Sequence, residues 1–285
     1  MADQSYAIFP KIPVGEAVEY IVDWIDTYFG WLLDAISFIL DIFVSVIQDV
    51  LLFIPSFIII LILAAAGWYV TDRDWKMPVL IAAGLLLVQN LRLWPEAMET
   101  LALVISSAFV ALVIAIPLGI AASRSDTVDR LLRPMLDFMQ TMPSFVYLIP
   151  AVIFFGLGNV PGMIATVIFA MPPAIRLTNL GIRQIPKELN EVADSFGATP
   201  NQKLVKVQLP VALPTIMAGI NQCIMLALSM TVIASMIGAG GLGLNVLIGI
   251  QRVDIGMGFE AGLAIVIIAI ILDRLSQNVV KSTGQ

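Results

Sequence analysis

Residues 188–210 read ELNEVADSFGATPNQKLVKVQLP, a polar stretch that lies between two long apolar segments. Asn190 is expected to cap a short helix, because an Asn side chain can accept from the first unpaired N–H groups. Glu191 and Asp194 would then lie in the first turn, where carboxylates suit the positive end of the helix dipole. The first half of the stretch therefore predicts a short, exposed helix.

The second half of the stretch carries the signals for a break and a new helix. Gly197 is expected to end the first helix, and Thr199 and Pro200 are typical of a helix cap and a first helical residue. The second helix is expected to end at Leu209 and Pro210. Together the two helices predict a helix–turn–helix finger that projects from the apolar part of the chain into water, with an ordinary polar loop as the simpler alternative.

The composition around this finger is that of a polytopic membrane protein. The chain has 285 residues, of which 59% are hydrophobic and 13% are charged. Soluble domains carry about a quarter of their residues as Asp, Glu, Lys or Arg. Histidine is absent and Cys223 is the single cysteine, so neither a metal site nor a disulfide within the chain is expected. No GxxxxGK[ST] motif occurs, so ATP binding by a P-loop is not expected in this chain.

The apolar runs predict an all-α fold with about seven transmembrane helices. These spans are expected at 51–70, 77–94, 97–122, 144–156, 160–180, 211–237 and 258–280. Pro172 and Pro173 predict a kink in the fifth span. The amphipathic stretch before the fourth span is expected to form an elbow along the membrane. The GAGGLG loop at 238–243 is expected to lead to a re-entrant or surface segment.

The chain before these spans carries a periodic polar stripe. It recurs every three or four positions over residues 21–50, as expected for one face of a helix, at Thr27, Gly30, Asp34, Ser37, Asp41, Ser45 and Gln48. Two aspartates facing lipid would be costly, which favours an amphipathic helix in the membrane interface over a spanning helix. A helix packed against the bundle is the alternative. We therefore expect an external N-terminal segment (1–50), two accessory helices (51–95) and a core (96–285).

The basic residues predict an orientation. With the finger in the cytoplasm and seven alternating spans, only Lys11, Arg92 and Arg252 of the 15 lysines and arginines lie outside. An excess of Lys and Arg on the cytoplasmic side is the general rule for membrane proteins. The N-terminus is therefore expected outside and the C-terminus in the cytoplasm.

The finger resembles a signature of ABC importer permeases, E-A-A, then G, then I-x-L-P. Val192 and Val207 are the two mild departures from that signature. The match is carried by Glu191, Ala193, Gly197, Val207, Leu209 and Pro210. In that family the finger is the coupling helix, here 187–206, which docks in a groove on a cytoplasmic ATPase. The resemblance implies an ATPase-coupling role for Glu191, Ala193, Asp194, Gly197, Lys203, Leu209 and Pro210.

The resemblance extends over about 97–275 and is specific for glycine betaine/proline betaine permeases of the type I importers. It is carried by QTMPSFVYLIP (140–150), PPAIRLTNLGIRQIPKELNEVADSFGAT (172–199) and LPTIMAGINQCIMLALSMTVIASMIGAGGLG (213–243). It implies a second copy of this chain, two cytoplasmic ATPase subunits that bind ATP and magnesium, and a separate external substrate-binding protein. The chain itself would lie in the bacterial inner membrane, hold no cofactor, catalyse no reaction and bind no nucleic acid.

The translocation path is predicted from polar and aromatic residues within the spans. Polar side chains in a bilayer need partners and should face the bundle. A quaternary ammonium also favours aromatic faces. The candidates are Phe145, Tyr147, Asn221, Gln222, Ser229, Thr231 and Ser235. Helix–helix contact is the alternative role for the polar ones, and ordinary packing for the aromatic ones.

Two other functions fit parts of the sequence. The same kind of importer could carry choline, trimethylamine N-oxide, dimethylsulfoniopropionate or carnitine, and nothing in this chain separates these cargoes. An ion-coupled secondary transporter would be expected to carry carboxylates in mid-span. Acidic residues here lie in loops or near span ends, with Asp273 close to the inner boundary, which disfavours that class.

Overall fold

The chain is a bundle of helices, seen in a computed structural model that describes residues 13–71 and 74–283. Lys11 and Arg73, two residues of the charge count, lie outside the described part. No strand occurs within it, so the all-α prediction is confirmed. The helices are α1 (Val14–Phe53), α2 (Ser56–Val70), α3 (Lys76–Asn90), α4 (Trp94–Arg124), α5 (Asp126–Thr141), α6 (Leu148–Phe155), α7 (Asn159–Arg183), α8 (Lys187–Ser195), α9 (Pro200–Lys203), α10 (Leu209–Ala234), α11 (Leu242–Arg252) and α12 (Ile255–Thr283).

The number of helices that can cross a bilayer differs from the expected seven. Five described helices have the length and composition to cross, and a sixth span results if α5 and α6, bent by 109°, count as one. The second and third helices have 15 residues each, about 22 Å against a hydrocarbon core of about 30 Å. The expected fourth span is the eight-residue α6, because the chain bends at Pro143 before the short 3-10 turn at Ser144–Tyr147.

The first helix is one of the five long ones, and its second half packs on the bundle. Val44 is buried, and the rings of Phe43 and Phe109 lie 5.6 Å apart. Asp34 and Asp41 line a cavity of about 460 Å³ beside the start of α7. These contacts favour the alternative in which the helix packs against the bundle. Where α1 lies relative to the membrane stays a prediction.

The centre of the bundle is α7, which packs between α4 and α10. Small residues bring the helix backbones close, as is common where helices associate in lipid. A Cβ on Gly119 of α4 would lie 2.8 Å from the carbonyl oxygen of Ile175, and one on Gly219 of α10 would lie 3.1 Å from the Cα of Ala174. Pro172 and Pro173 are buried at this crossing within α7. The fold therefore depends on glycines at the two crossings of α7.

The GAGGLG loop is fixed at the far end of α4 from the finger. The loop leads into the start of α11, where the first N–H groups of a helix have no acceptor within the helix. Asn159 accepts from Gly240, Glu99 from Gly241 at 2.9 Å, and Thr100 from Leu242 at 2.8 Å. A side-chain cap of this kind replaces the missing helical acceptors. The loop therefore leads to a helix whose beginning is tied to α4 and α7.

The α2–α3 hairpin packs against α12 rather than against the centre. Ile60, Ile81, Leu85 and Ile271 form a separate buried cluster. A Cβ on Gly84 would lie 2.7 Å from the Ile267 side chain, so the hairpin approaches α12 closely. The hairpin is thus peripheral to the helices that support the finger.

Candidate functional site: the polar finger

The finger begins at residue 187, the predicted start of the coupling helix, and four residues before a helix capped by Asn190 would begin. Its first helix, α8, starts at Lys187 after Pro186, whose fixed φ suits the entry to a helix. The expectation that Asn190 caps this helix is wrong. The Asn190 side chain lies inside the helix and accepts instead from the Gln208 side chain at 2.9 Å. It therefore ties the first helix of the finger to the chain that leaves the finger.

The break between the two finger helices lies where the sequence predicted it. Gly197 has φ +72°, a left-handed conformation that costs other residues roughly 1–2 kcal/mol. Its N–H donates to the carbonyl of Asp194 at 2.9 Å, and the N–H of Ala198 donates to the carbonyl of Ala193 at 3.0 Å. These bonds satisfy carbonyls at the end of α8. Gly197 is thus required by the backbone.

The second helix begins with the predicted cap but does not end at Leu209 and Pro210. It continues as a π-helical turn, Leu204–Gln208, directly into α10. The ring of a helical proline clashes with the carbonyl four residues earlier. For Pro210 that carbonyl belongs to Lys206, which lies in the wider π turn. The wider turn accommodates the proline, so the helix runs from Pro200 to Ile237.

Polar contacts hold the finger together and to the bundle. The Lys203 amino group lies 2.8 Å from an Asp194 carboxylate oxygen, which links α9 to α8. Arg124, the last residue of α4, donates to the carbonyl of Pro200 at 3.1 Å and to the Asn201 side chain. Exposed contacts of this kind contribute about 0–1 kcal/mol each. Their role here is to fix the direction in which the finger points.

The capping box of α9 allows a direct test of how the finger is held. Thr199 accepts from the N–H of Gln202, and the Gln202 side chain accepts from the N–H of Thr199. Thr199→Ala removes the first bond and is expected to cost about 1 kcal/mol locally. Amide hydrogen exchange should become about 5-fold faster over 198–203, while Thr199→Ser should exchange like the parent chain. Unchanged exchange in Thr199→Ala would show that the cap does not hold the turn.

The tip of the finger presents an apolar surface inside a polar rim. Phe196 is 88% exposed and Val192 is 53% exposed. Both line an open cleft of about 400 Å³ whose other walls include Ala193, Gln202 and Lys206. A large apolar surface left exposed and ringed by polar groups is typical of a protein-binding site. We call Phe196, Val192 and this cleft the finger tip.

The sequence-predicted residues take different places around the finger tip. Glu191 is exposed on α8, and its carbonyl accepts from the Ser195 hydroxyl. Ala193 is buried and lines the cleft. Leu209 packs on a small core near the base of the finger, with Ile182 and Ile216. Phe196 was not predicted as a site residue, although an isolated aromatic in a polar stretch is a signal that could have found it.

Four of the predicted path residues make contacts within the chain. Thr231 and Ser235 are buried, and their hydroxyls donate to carbonyls of their own helix. Tyr147 is buried too, with its ring edge on Phe169 and its hydroxyl donating to the carbonyl of Met139. Asn221 lies between α10 and α12, where it donates to Asp273 and accepts from Ser276. These contacts fit the alternative role in packing within the bundle, and a place in the translocation path stays a prediction for these four residues.

The other three path candidates lie on the surface of the single chain. Phe145 is 51% exposed. Gln222 and Ser229 are both exposed on α10, and a spacing of seven residues puts them on one face of the helix. The structure therefore separates the seven candidates into four that are buried or half-buried and three that are exposed, of which Ser229 donates to the carbonyl of Met225.

No cluster of three or more His, Cys, Asp or Glu side chains with metal-binding geometry occurs among the residues that the structure describes. The finger tip and the uncovered face of α10 are the two surfaces that carry sequence-predicted residues or their neighbours. The face of α10 lies within the continuous helical segment Pro200–Ile237, and the finger tip lies just before that segment, with Gln202 and Lys206 of the segment in its cleft.

Comparison with known proteins gives a consistent result. Residues 111–284 match the family model described as the binding-protein-dependent transport system inner membrane component. The chain is 50% identical to the glycine betaine transport system permease protein OpuAB of Bacillus subtilis, with 95% of each chain covered. It is 53% identical to the glycine betaine/carnitine transport permease protein GbuB of Listeria monocytogenes over 94% of this chain and 95% of that protein.

A third relative and a solved structure extend the comparison. The chain is 48% identical to the glycine betaine/proline betaine transport system permease protein ProW of Escherichia coli, over 94% of this chain and 75% of that protein. The structure is similar to that of the MetNI methionine ABC transporter, with a TM-score of 0.61, 22% identity, and coverage of 66% of this chain and 94% of that chain. The likeness to MetNI concerns the fold alone.

Proposed function

Because this chain belongs to the family of inner membrane components of binding-protein-dependent transport systems, we propose that it is the transmembrane subunit of an ATP-driven importer of glycine betaine. The permeases OpuAB, GbuB and ProW, which are 50%, 53% and 48% identical to it over the aligned residues, are named for glycine betaine transport. ATP is hydrolysed by a partner subunit, and this chain supplies the path and the coupling.

The observation that carries the proposal is the exposed finger tip. Phe196 has almost no cover within its own chain at 88% exposure, and its neighbours Val192 and Leu189 are also exposed. An aromatic side chain in the middle of an apolar patch is the usual anchor of a protein interface. Glu191 and Lys206 supply charge at the edge. A cytoplasmic ATPase with an apolar groove is the partner that fits this surface.

The uncovered face of α10 supports a second copy of the chain. Gln222 would be costly against lipid, because a side-chain amide has no partner there. A second copy would cover this face or enclose a water-filled path along it with Ser229. Phe145 would offer an aromatic face to a quaternary ammonium. The proposed assembly is therefore two permeases with two ATPases, and the path is lined by Gln222, Ser229 and Phe145.

The orientation follows the basic residues near the finger. Arg124, Arg183, Lys187, Lys203 and Lys206 lie at or near this end of the bundle. With that end in the cytoplasm the positive-inside rule is satisfied. The GAGGLG loop and Glu99 then lie at the external side, where the substrate-binding protein would deliver its cargo. The N-terminus is external and the C-terminus is cytoplasmic in this arrangement.

Reconstitution tests the proposed function. Proteoliposomes containing this chain and its ATPase, with loaded binding protein outside and ATP inside, are expected to accumulate radiolabelled glycine betaine. Loaded binding protein should raise ATP hydrolysis, because it can do so only by favouring one state of the permease. Competition with unlabelled choline, trimethylamine N-oxide, dimethylsulfoniopropionate or carnitine would rank the cargoes. Betaine uptake by this chain alone, driven by a sodium or proton gradient, would contradict the proposal.

A further inference from the structure

The helix α5 packs on the bundle with Leu132, Leu136 and Met139 and leaves a second apolar face uncovered. Leu131, Met135 and Phe138, spaced by four and three residues, are 72%, 58% and 65% exposed. Residues at this spacing share one face of a helix. The opposite face carries aspartates that contact α7. Polar contacts at the edge of the apolar contact therefore add to the link between α5 and α7.

Three polar contacts join α5 to α7 along their length. Arg183 lies 2.7 Å from Asp126, and Arg176 lies 2.6 Å from Asp137. Between them, the Asn179 side chain donates to Asp129 at 2.7 Å. Residue numbers rise along α5 while those of the partner residues on α7 fall, so the two helices are antiparallel. We call these three contacts the charged zipper.

Apolar packing between the two helices is incomplete beside the zipper. A cavity of about 390 Å³ lies between them, lined by Asp129, Arg133, Arg176 and Arg183 with a floor that includes Leu132 and Ile175. Side chains that do not fill a space cannot transmit displacement by contact. Of the apolar side chains on this face of α5, Leu136 is the buried one. The zipper therefore adds polar links between α5 and α7 beside the apolar contact of Leu136.

The zipper begins at the base of the finger. Arg183 ends α7 four residues before α8 starts, and it also donates to the carbonyl of Ala122 at 2.7 Å and to Asn179 at 2.9 Å. One guanidinium thus joins the ends of α4 and α7 to the start of α5. Arg124 adds the bond from α4 to Pro200 of the second finger helix. Both arms of the finger are therefore connected to α5.

We propose that the charged zipper transmits the movement of the finger to α5, so that α5 and α7 move as one unit in the transport cycle. Arg176, Arg183, Asp126, Asp129 and Asp137 are positioning residues for coupling. This inference rests on the proposed importer function. The ion pairs are half-exposed, with side-chain exposures of 41% and 66% for Arg176 and Asp137, so their contribution to stability is small. In a transporter, these ion pairs would serve to make α5 follow the movement of α7.

Reversal of one pair tests the transmission. Arg176→Asp and Asp137→Arg each place like charges together, and the double variant restores an opposite pair. In the reconstituted transporter each single variant is expected to lower the ratio of betaine transported to ATP hydrolysed by about 10-fold, and the double variant to restore it to within about 3-fold. A structural defect would lower transport and hydrolysis together and leave their ratio unchanged.

The matched control is Arg130→Asp, the same change as at Arg176 but made on α5, the helix of Asp137. Arg130 is exposed and donates to the carbonyl of Asp126 in its own helix, so the ratio should stay at the parent value. Single variants that keep the parent ratio would overturn the proposal, as would a double variant that assembles but stays uncoupled. If the single variants do not assemble, Arg176→Gln and Asp137→Asn give the same readout without repulsion. A parent complex that transports no betaine would instead contradict the proposed function.

Discussion

Replacement of Phe196 by Asp is expected to abolish uptake by the whole transporter while the permease still folds and enters the membrane. The side chain is 88% exposed, so its loss removes little packing within the chain. In the proposed complex the ring is buried in the ATPase, and a carboxylate there would lose its water without gaining a partner. Loss of a central aromatic anchor costs about 2–4 kcal/mol or more, which weakens binding by roughly 30- to 1000-fold.

Copurification of the ATPase with tagged permease measures this effect directly. Phe196→Leu keeps an apolar side chain and should retain most of the ATPase. Val205→Asp is the matched control, because Val205 is 61% exposed on the same finger but does not line the cleft. Val205→Asp is expected to keep the ATPase bound. Normal copurification and uptake with Phe196→Asp would show that the finger tip is not the docking surface.

Replacement of Gly241 by Ala is expected to destabilise the permease more than the same change at Gly156 or Gly262. Gly241 has φ +83°, and an added Cβ would lie 2.4 Å from the Thr100 hydroxyl oxygen and 3.1 Å from the carbonyl oxygen of Glu96. The left-handed backbone and the overlap both oppose a side chain. Together they should cost about 2–4 kcal/mol. The unfolding temperature of the purified permease in detergent measures this loss of stability.

Gly156 and Gly262 distinguish the cost of the left-handed backbone from the cost of the overlap made by the added Cβ. Gly156 has φ +73° with nothing within 4 Å of an added Cβ, so Gly156→Ala should cost only the backbone term of about 1–2 kcal/mol. Gly262 lies within α12 with open space around it, and Gly262→Ala should be neutral or stabilising by up to about 1 kcal/mol. An unfolding temperature for Gly241→Ala equal to that of Gly262→Ala would refute the close packing of the GAGGLG loop on α4.

Local signals in the finger were sufficient to predict its turn. Gly197 and the Thr199–Pro200 pair each act through their own backbone, so their effect does not depend on the rest of the fold. The two ends were predicted wrongly for the same reason. Asn190 was taken for a cap and Pro210 for a stop, whereas Asn190 is bound by a residue distant in sequence and Pro210 is accommodated by the π turn. The boundaries of the finger thus depend on contacts that local sequence signals do not contain.

The path residues show a second limit of the sequence. Gln222 and Thr231 are both polar residues of one apolar span, and composition treats them alike. Helical periodicity could have separated them, since 222 and 229 share a face that 231 and 235 do not. Which face is covered depends on α11, whose Gly243 packs against Thr231 and Ser235. The exposure of Phe196 likewise follows only from the three-dimensional arrangement of the finger.

The π turn at Leu204–Gln208 has a consequence for the timing of the transport cycle. Because it replaces a hinge, the helix from Pro200 to Ile237 contains 38 residues and is about 57 Å long. A tilt of about 10° around its middle would move its two ends by about 5 Å in opposite directions. We therefore expect both ends to shift together, so that the cycle has no intermediate in which only the cytoplasmic end has moved.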